Sequence, residues 1–444
     1  MGSESVPDVH CEQGTSSSSR NGSEILADSA TVRVVRTLPE LEALKTTWNT
    51  WCDDPSADLD YYLASARCRS DFVRPHVMVV DRDGRPDCML VGRLEHRCVK
   101  LKVGHTSLFE PKVRQLFFLQ GGFFGNCSVE NSRLLVQEIK RCLQRGEADG
   151  AEIARLTKDS SLRQPAESEF GFLCRGHFVP VHEHRWLELP GNFKEFLQGL
   201  SRKNRHELRR HEKKLKEDFS GRTHIHCYRH EDEVNELAQE VEKISAKTYQ
   251  RALGVGFRPD VEILESLRST AHQGGLRGCI LYLDEQPCAF FIGKHYKQTF
   301  HGHYMGFDPQ FGKYSPGLLV LMHSIEECFD PHMRATQFDL GWGDRQYKRL
   351  ICNQSRLDGP LYLYAPSWGG LKLNLLRSTT SLLDLMARKL VARNSFLQKL
   401  KNDRKSRLQK ASASDSSGNA STDSSSSLSG RGDPIGVSSR SPML

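Results

Sequence analysis

Several features that this 444-residue chain lacks narrow the classes of protein to which it can belong. No run of apolar residues reaches the ~18 that a membrane-spanning helix needs, so the sequence predicts none. The N-terminal stretch MGSESVPDVHCEQG has no basic region followed by an apolar segment, as a secretory signal would. It also fails the myristoylation pattern, because Val6 stands where Ser or Thr is required.

Cysteine pairing and strong charge are also missing. The 13 cysteines are an odd number, and none of them form a Cys-x-x-Cys pair. This pattern argues against a disulfide framework or a zinc site and is typical of a reducing compartment, so we expect a cytoplasmic protein without a metal cofactor. The net charge of +7 is modest for this length; it permits an anionic ligand and does not require DNA or another nucleic acid.

The two ends of the chain differ in composition from its centre. Residues 1–30 and 406–444 are rich in serine and poor in large apolar residues, which predicts disordered tails. A basic amphipathic helix is predicted over residues 369–405. Its ordinary role would be to pack on the body or to pair with another chain; peripheral contact with a membrane surface is the alternative.

Between these ends the same order of elements occurs twice. In each copy an apolar hairpin precedes a strand, a helix and a second strand. The return strand of each hairpin carries a proline and a glycine six residues apart, Pro86 with Gly92 and Pro287 with Gly293. We interpret this as a degenerate repeat of one α/β module. The predicted modules are residues 31–185 and 186–368.

The most informative stretch is a glycine-bearing loop in the second copy, Gly312-Lys313-Tyr314-Ser315-Pro316-Gly317, which opens onto a predicted helix. Such a loop leaves unpaired N–H groups at a helix N-terminus, which favours a bound phosphate or pyrophosphate. The glycine spacing fits neither a Walker loop nor a dinucleotide fingerprint, so an ordinary strand–loop–helix connection is the alternative. The candidate ligand-binding residues are Gly312, Lys313, Ser315 and Gly317.

A strongly basic helix is predicted to begin after Ser201 and to cover residues 202–218. Charge runs of this kind usually form a solvated face. The helix lacks the interleaved aromatic residues that nucleic-acid binding would favour. Its position before the second module makes binding of an acidic ligand the alternative.

Four ordered blocks in residues 190–350 resemble a known family, the acetyltransferase-like family of the GNAT superfamily associated with cellulose and exopolysaccharide biosynthesis. The blocks are Leu200–Arg210, Pro287–Ala289, Phe307–Pro309 with Tyr314–Gly317, and Phe338–Lys348. The preceding half is similar to the degenerate GNAT-like module that such proteins and the FemAB-type transferases carry in tandem.

The resemblance implies an α/β fold with mixed sheets, made of two tandem GNAT-like modules. It implies transfer of an acyl group from acetyl-CoA or another acyl-CoA to an amine or hydroxyl of a small-molecule, polysaccharide or peptide acceptor. The pyrophosphate would lie on the loop Phe311–Gly317. This loop departs from the usual Arg/Gln-x-x-Gly-x-Gly/Ala form, which leaves the aminoacyl-tRNA of a FemAB-type enzyme as an alternative carrier. A non-catalytic protein that retains the fold is a further alternative.

Two carboxylates and a lysine near the end of this region are candidates for catalysis. Direct acyl transfer needs a general base and a donor to the oxyanion. Asp339 ends a predicted strand and Asp344 lies in a glycine-rich turn, so each is a candidate base; turn capping is the alternative role. Lys348 is a candidate to pair with one of them or to bind an anionic substrate, with a buried structural ion pair as the alternative.

Histidines and tyrosines provide further candidates for proton transfer. His301 and His303 alternate with Gly302 on a predicted strand and should face the same side. An imidazole titrates near neutrality, which makes His301 a candidate for proton transfer, with a packing role as the alternative. Tyr304 and Tyr347 are candidate donors to the thiolate or oxyanion, or else core aromatics. No spacing identifies a Ser or Cys nucleophile, which favours direct transfer over a covalent acyl-enzyme.

Overall fold

The computed structural model describes residues 30–99, 101–103, 106–248, 251 and 256–393. The two predicted tails, apart from Ala30, and the end of the predicted C-terminal helix lie outside this part of the chain. No helix in the described ranges combines the length and apolar character that crossing a membrane would need.

The first half of the chain is built around a hairpin followed by a strand, a helix and a strand, as the sequence predicts. The helix α4 begins after Ser128, whose side chain accepts a hydrogen bond from the Asn131 N–H, and buries an apolar stripe that includes Leu135 and Ile139. The elements are β1 (Thr31–Val35), α1 (Leu38–Glu42), α2 (Lys45–Trp51), α3 (Leu59–Cys68), β2 (Phe72–Pro75), β3 (Val77–Arg82), β4 (Arg85–Cys98), β5 (Leu101–Val103), β6 (Thr106–Phe109), β7 (Lys112–Gly125), α4 (Val129–Gln144), β8 (Gly150–Thr157) and α5 (Arg163–Glu169).

The second half repeats this order after two additional helices. The basic helix α7 begins where predicted, because the Ser201 side chain accepts from the Asn204 N–H. The elements are β9 (His182–Glu188), α6 (Phe193–Gly199), α7 (Arg202–Asp218), β10 (Thr223–Tyr228), α8 (Val234–Ser245), α9 (Val261–His272), β11 (Leu276–Leu283), β12 (Gln286–Tyr296), β13 (Thr299–Phe307), α10 (Pro316–Glu327), β14 (Gln337–Trp342), α11 (Gln346–Ile351), β15 (Gln354–Tyr364) and α12 (Trp368–Arg393).

Within the described ranges, every strand except β5 and β6 joins one mixed sheet of 13 strands. Its order is β1-β3-β4-β7-β8-β15-β9-β14-β13-β12-β11-β10, with β2 on β4. The two halves pair in the same way. In the first, β3, β4 and β7 are successively antiparallel and β7 is parallel to β8; in the second, β11, β12 and β13 are successively antiparallel and β13 is parallel to β14. The fold is therefore α/β with two tandem modules of equivalent strand order, which agrees with the architecture that the sequence resemblance implies.

The halves exchange their last strands. β9 follows the helix of the first half but pairs with β14 of the second, whereas β15 ends the second half and pairs with β8 of the first. β9 and β15 also pair with each other, which closes the gap between the modules. The predicted boundary between residues 185 and 186 therefore falls inside β9, a strand that belongs to both modules.

The glycines of the repeat occupy equivalent positions. A Cβ atom on Gly92 would lie 2.9 Å from the carbonyl oxygen of Phe117, and one on Gly293 would lie 2.9 Å from that of His301. Each would also overlap the aromatic ring of the neighbouring strand, Phe118 or Phe300. Each glycine thus lets a ring pack on the backbone beside the parallel strand pair.

The structure differs from the sequence prediction in several elements. The apolar stripe Leu41, Leu44 and Trp48 predicts one helix from Pro39 to Trp51, but this segment forms two helices, α1 and α2. The strands β9, β10 and β15 were not predicted. The expectation of no disulfide is also wrong, because Cys227 and Cys279 are bonded across the paired strands β10 and β11. Neither cysteine has a sequence neighbour that would reveal this pairing, which depends on the register of the two strands.

Candidate active site

A wedge opens between the parallel strands β13 and β14. The two pair only where Thr299–His301 lies beside Gln337–Asp339. β13 then continues to Phe307 without β14 beside it, so that the strands separate after His301 and Asp339. On its other side β13 is irregular against β12, and His303 is the residue left without a partner across the strands. The wedge therefore has its apex at His301 and Asp339.

A chain of hydrogen bonds alternates carboxylates and imidazoles at this apex. The Asp358 carboxylate lies 3.0 Å from Nδ1 of His184, and Nε2 of the same ring lies 2.7 Å from Asp339. Nδ1 of His301 lies 3.4 Å from the other oxygen of Asp339. The Gly341 N–H donates to Asp339 at 2.7 Å. Asp358 and His184 come from the exchanged strands, so both modules contribute to the chain.

These contacts shift the titration of the groups at its centre. Burial acts to raise the pKa of Asp339, but hydrogen bonds from His184 and His301 outweigh it and hold that pKa well below the usual range. Burial acts to lower the pKa of His184, but hydrogen bonds to Asp339 and Asp358 outweigh it and raise that pKa. Asp339 is therefore an anion that orients two imidazoles.

Two polar atoms beside this chain are buried and have no hydrogen-bond partner among the described residues. They are Nε2 of His301 and Nε1 of Trp342. The Arg155 guanidinium stacks 4.7 Å from the centre of the Trp342 ring. Arg155 itself has a positive φ of 46°, so the backbone of β8 is bent where its side chain enters the site. Buried polar atoms without partners mark a place where a ligand can complete the hydrogen bonding.

His303 and Lys294 complete the wedge. Burial, with His301 and Lys294 nearby, lowers the pKa of His303 to about 3, so its imidazole is neutral at neutral pH. Lys294 is 5% exposed, and burial lowers its pKa as well. Its ammonium lies 5.3 Å from the ring centre of Tyr296. A neutral imidazole and a cation with a lowered pKa thus lie beside the unpartnered atoms.

Asp344 and Lys348, two of the predicted catalytic residues, are engaged by other groups of the protein. The Asp344 carboxylate is paired with Arg349 at the surface and lies 3.4 Å from Nε of Arg185. Lys348 is fully buried and donates to the carbonyl oxygens of Leu340, Gly341 and Trp342 at 2.6, 3.3 and 2.6 Å. An ammonium has three hydrogens, and all three are used here. Lys348 therefore holds the turn after β14 in place and has no hydrogen left for a substrate.

Tyr304 also lies away from the apex. Its ring packs edge-on against Phe257 with 5.2 Å between ring centres, on the side of the sheet covered by α8 and α9. Burial raises the pKa of its hydroxyl. Among the predicted catalytic residues, the structure brings Asp339 and His301 into contact, whereas Asp344, Lys348 and Tyr304 contact other groups.

The predicted ligand loop forms a 3-10 turn, Pro309–Tyr314, that leads into α10. Ser315 is left-handed, with φ of 50°, and its carbonyl accepts from the Leu318 N–H at 2.9 Å. Among the described residues the Gly317 N–H has no hydrogen-bond partner, and an added Cβ there would meet only the Phe307 ring, at 3.3 Å. Gly312 accepts from the Ser315 N–H through its carbonyl.

Basic side chains surround this helix N-terminus. Nε2 of His211, on α7, lies 3.3 Å from Oγ of Ser315. The ammonium groups of Lys214 and Lys313 lie 5.7 and 4.6 Å from the ring centre of Tyr314, and Lys313 is 3.5 Å from Asp218. Free N–H groups at a helix N-terminus with cations nearby suit an anion.

The loop and the apex lie at opposite ends of one strand. From His301 to Phe307, β13 advances about 20 Å at ~3.3 Å per residue. The wedge between β13 and β14 runs along the same stretch. An extended ligand with a phosphate at one end and a reactive group at the other would match this arrangement.

The sequence prediction omitted several residues that line the apex. His184 and Asp358 lie on strands that were not predicted, and Arg155 comes from the other module. Lys294 follows Gly293 of the repeat, as Arg93 follows Gly92. A basic residue at this position of both copies is the sequence signal that could have indicated Lys294. Trp342 lies within a block used for the family resemblance, but nothing in its spacing indicates that its indole N–H is free.

Part of the second half of the chain matches a known protein family. Residues 202–349 match the family model described as acetyltransferase (GNAT) domain. This range contains α7, the β11–β12 hairpin, β13, the ligand loop, α10 and β14. A search of curated proteins found no match.

Among solved structures, FemX is 12% identical, with a TM-score of 0.49 over 75% of this chain and 97% of its own. A tandem GNAT protein from the clavulanic acid biosynthesis pathway is 7% identical, with a TM-score of 0.45 over 76% of this chain and 99% of its own. A GCN5-related N-acetyltransferase from Sphaerobacter thermophilus is 10% identical, with a TM-score of 0.37 over 76% and 96%. By the family match over residues 202–349, the chain carries a GNAT-type acyltransferase domain.

Proposed function

We propose that the protein is an acyl-CoA-dependent N- or O-acyltransferase that binds its acyl donor along the wedge between β13 and β14. The observation that carries this proposal is the free Nε2 of His301, buried at the apex while Asp339 holds the other ring nitrogen. An imidazole oriented in this way, with one nitrogen left without a partner among the described residues, suits the role of a general base. Acetyl-CoA is the first donor to test.

In the proposed reaction, His301 takes a proton from the acceptor. The acceptor nitrogen or oxygen attacks the thioester carbonyl, and its proton moves to Nε2 of His301. Asp339 stabilises the imidazolium and keeps the ring oriented, with Asp358 and His184 fixing Asp339 in turn. A carboxylate with so low a pKa is a weak base, so we assign Asp339 to positioning rather than to proton removal.

The negative charge that develops on the carbonyl oxygen needs a donor. The Trp342 indole N–H is buried, unpartnered and beside the apex, and Arg155 and Lys294 add positive charge there. The C–S bond breaks as the new C–N or C–O bond forms. The thiolate then leaves with a proton, which the His301 imidazolium can return.

The donor's phosphates would lie at the other end of β13. The free N–H of Gly317 and the side chains of Ser315 and Lys313 face this end, and His211 and Lys214 of α7 lie beside them. We place the pyrophosphate of an acyl-CoA there. A phosphopantetheine arm laid along β13 would then bring the thioester to His301.

The acceptor and the compartment belong to the same proposal. The sequence resemblance favours a hydroxyl or amine acceptor of cell-envelope or exopolysaccharide biosynthesis. Ten described cysteines are free thiols, which supports a reducing cytoplasm. Exposed basic residues of α7 beside the ligand loop favour one alternative, a FemAB-type transferase whose carrier is an aminoacyl-tRNA.

The test is a thermal-shift screen of the full chain with acyl-CoA thioesters, free CoA and aminoacyl-tRNA. A ligand that binds only the native state raises the melting temperature, by an amount that grows with concentration above its Kd. We expect acetyl-CoA or a longer acyl-CoA to raise it and aminoacyl-tRNA to leave it unchanged. Stabilisation by aminoacyl-tRNA alone would establish the alternative carrier, and no response to any donor would favour a non-catalytic protein.

A further inference from the structure

Four side chains with metal-binding atoms meet near the C-terminal end of α10, the end away from the ligand loop. Cys227 on β10 and Cys279 on β11 face each other across the paired strands. His323 and Glu327 are four residues apart on α10, so they lie on the same face of the helix. One sulfur, nitrogen or oxygen atom from each lies within 4.8 Å of every other.

The closest contacts cross between the sheet and the helix. Sγ of Cys227 is 3.6 Å from Nε2 of His323, and Sγ of Cys279 is 3.4 Å from one carboxylate oxygen of Glu327. Ligand atoms of a tetrahedral zinc ion are separated by about 3.3–3.8 Å, from the usual Zn–N and Zn–S bond lengths. Once the disulfide is reduced, the two sulfurs would have to move apart to this spacing, and the other atoms, all within 4.8 Å of one another, would have to close to it.

The surroundings also suit a cation held by thiolates. Arg229 pairs with the other carboxylate oxygen of Glu327 and leaves the oxygen near Cys279 for a ligand. Two thiolates and one carboxylate carry three negative charges, which a divalent ion and Arg229 would balance. A hydrogen-bonded carboxylate ligand of this kind is common in metal sites. Cys279 is fully buried, which favours a closed, structural site.

We propose that the reduced protein binds one Zn²⁺, or a divalent ion of similar thiol affinity, through Cys227, Cys279, His323 and Glu327. The disulfide in the structure and the metal are alternative uses of the same sulfurs. A dithiol reductant gives up two electrons and two protons to the disulfide, becomes a cyclic disulfide itself and leaves two thiols. Binding of the ion then releases both thiol protons.

Such a site would tie β10 and β11 to α10. The ligands lie near the C-terminal end of α10, whereas the proposed donor site lies at its N-terminus. The proposal does not depend on the acyl-transfer proposal, because none of the four residues takes part in that chemistry. Neither does it need a sequence motif, since the four ligands are brought together by strand register and helix packing.

The experiment is a Co²⁺ titration of the full chain, reduced with an excess of dithiothreitol that is then removed without oxygen. We expect a thiolate-to-cobalt charge-transfer band with strong visible bands of tetrahedral Co²⁺ that saturate at about one ion per chain. Zn²⁺ should displace the cobalt and abolish these bands. His323→Asn and Glu327→Gln should each weaken binding at least about tenfold, whereas the exposed His332→Asn should not.

Three results would overturn the proposal. The first is absence of the charge-transfer band in fully reduced wild-type protein. The second is a band that persists unchanged in both His323→Asn and Glu327→Gln. The third is loss of the band in Cys68→Ser, because Cys68 is an exposed free cysteine outside the cluster. The wild-type titration decides the matter even where a variant fails to fold. A Cys227–Cys279 disulfide that resists the reductant, shown by the same number of alkylated thiols with and without reduction, would likewise reject the metal site.

Discussion

His301 is the residue on which the proposed chemistry most depends. Its ring is held on one side by Asp339, and the other nitrogen is buried and has no hydrogen-bond partner in the described part of the chain. Neighbouring His303 lacks a comparable carboxylate contact among the described residues, and its lowered pKa makes it a poor acceptor of a proton. The two histidines therefore have different roles although both line the wedge.

We expect His301→Gln to lower kcat for acyl transfer by about 10²–10⁴-fold, because a positioned general base contributes about that much. Binding of the acyl donor, measured by calorimetry, should change little, since the phosphate site lies about 20 Å away along β13. The measurement is single-turnover acyl transfer with the donor found in the screen. His332→Gln, an exposed histidine, is the matched control. A His301→Gln enzyme as fast as the control would contradict the assignment.

The raised pKa of His184 predicts that the free energy of unfolding depends on pH. Its folded pKa is raised above the ordinary 6.5, so its ionic contacts contribute fully below that pH and are lost as the pH rises through the raised value. His184→Gln, which leaves two buried carboxylates without their cation, should lower the free energy of unfolding by about 3–5 kcal/mol at pH ~6. The loss should shrink at pH ~9. Urea unfolding at both pH values measures it.

The control for this prediction is His332→Gln, whose effect should be small at both pH values because the side chain is exposed. A His184→Gln loss that is equal at both pH values would mean that the histidine acts by packing alone. A loss that grows with pH would mean that the sign of the pKa shift is wrong.

At the scale of elements, the repeated hairpin, strand and helix position the wedge. The same glycine in each copy lets an aromatic ring pack on the backbone beside the parallel strand pair, Phe118 in the first half and Phe300 in the second. Phe300 stacks on Phe338 with 4.9 Å between ring centres, and Phe338 precedes Asp339 on β14. The packing that Gly293 permits therefore fixes the strand that carries Asp339.

Gly293→Ala tests this connection. The added methyl group would lie 2.9 Å from the His301 carbonyl oxygen and overlap the Phe300 ring, so we expect overpacking to cost about 1–3 kcal/mol of unfolding free energy. Gly199→Ala is the control, because a Cβ there meets nothing within 4 Å. Chemical denaturation measures both. Equal stability of the two variants would show that the strands beside Gly293 adjust freely.

The elements that the sequence predicted are those whose pattern is local. Alternating apolar runs and caps such as Ser201 identify strands and helices without reference to the rest of the chain. β9 and β15 escaped prediction because charged and polar residues such as Arg185 and Arg356 interrupt their apolar pattern. On the same strands His184 and Asp358 belong to the hydrogen-bonded chain at the apex, so the strands that build the site look least like strands.

The candidate site residues likewise divide into those that a local sequence pattern predicts and those that it does not. Asp339 and His301 could be predicted because each lies on a strand of clear periodicity, and the structure places them together. Asp344 and Lys348 were chosen for their residue types, which do not reveal that an arginine or three carbonyl oxygens already engage them. Arg155 reaches the apex from the other half of the chain, which no local pattern can indicate.

At the scale of the whole molecule, the two modules form one folding unit. Besides the exchanged strands, α3 of the first half packs on α9 of the second, and the buried Arg69 pairs with Glu262 at 2.9 Å. Asp58 accepts from the Tyr296 hydroxyl at 3.0 Å. The first module thus contacts the second through helices and side chains as well as through strands, and it supplies Arg155 to the site from its own strand.

We expect a fragment of residues 30–181 not to fold by itself, because β8 would lose β15 and expose a bare sheet edge. Co-expression with residues 182–393 should restore a complex in which both fragments unfold cooperatively. Circular dichroism during heating, with size-exclusion chromatography, measures this. A monomeric 30–181 fragment with a sharp unfolding transition would show that the first module is independent of the exchange.

The central claim is that the acyl donor lies along β13, from the N-terminus of α10 to His301. Amide hydrogen exchange with and without saturating acetyl-CoA, or the donor found in the screen, tests it most directly. We expect slower exchange in residues 302–307 and 312–318, and little change in the equivalent strand and helix of the first module, β7 and α4. Protection confined to the first module or to the outer face of α7, with β13 unchanged, would contradict it.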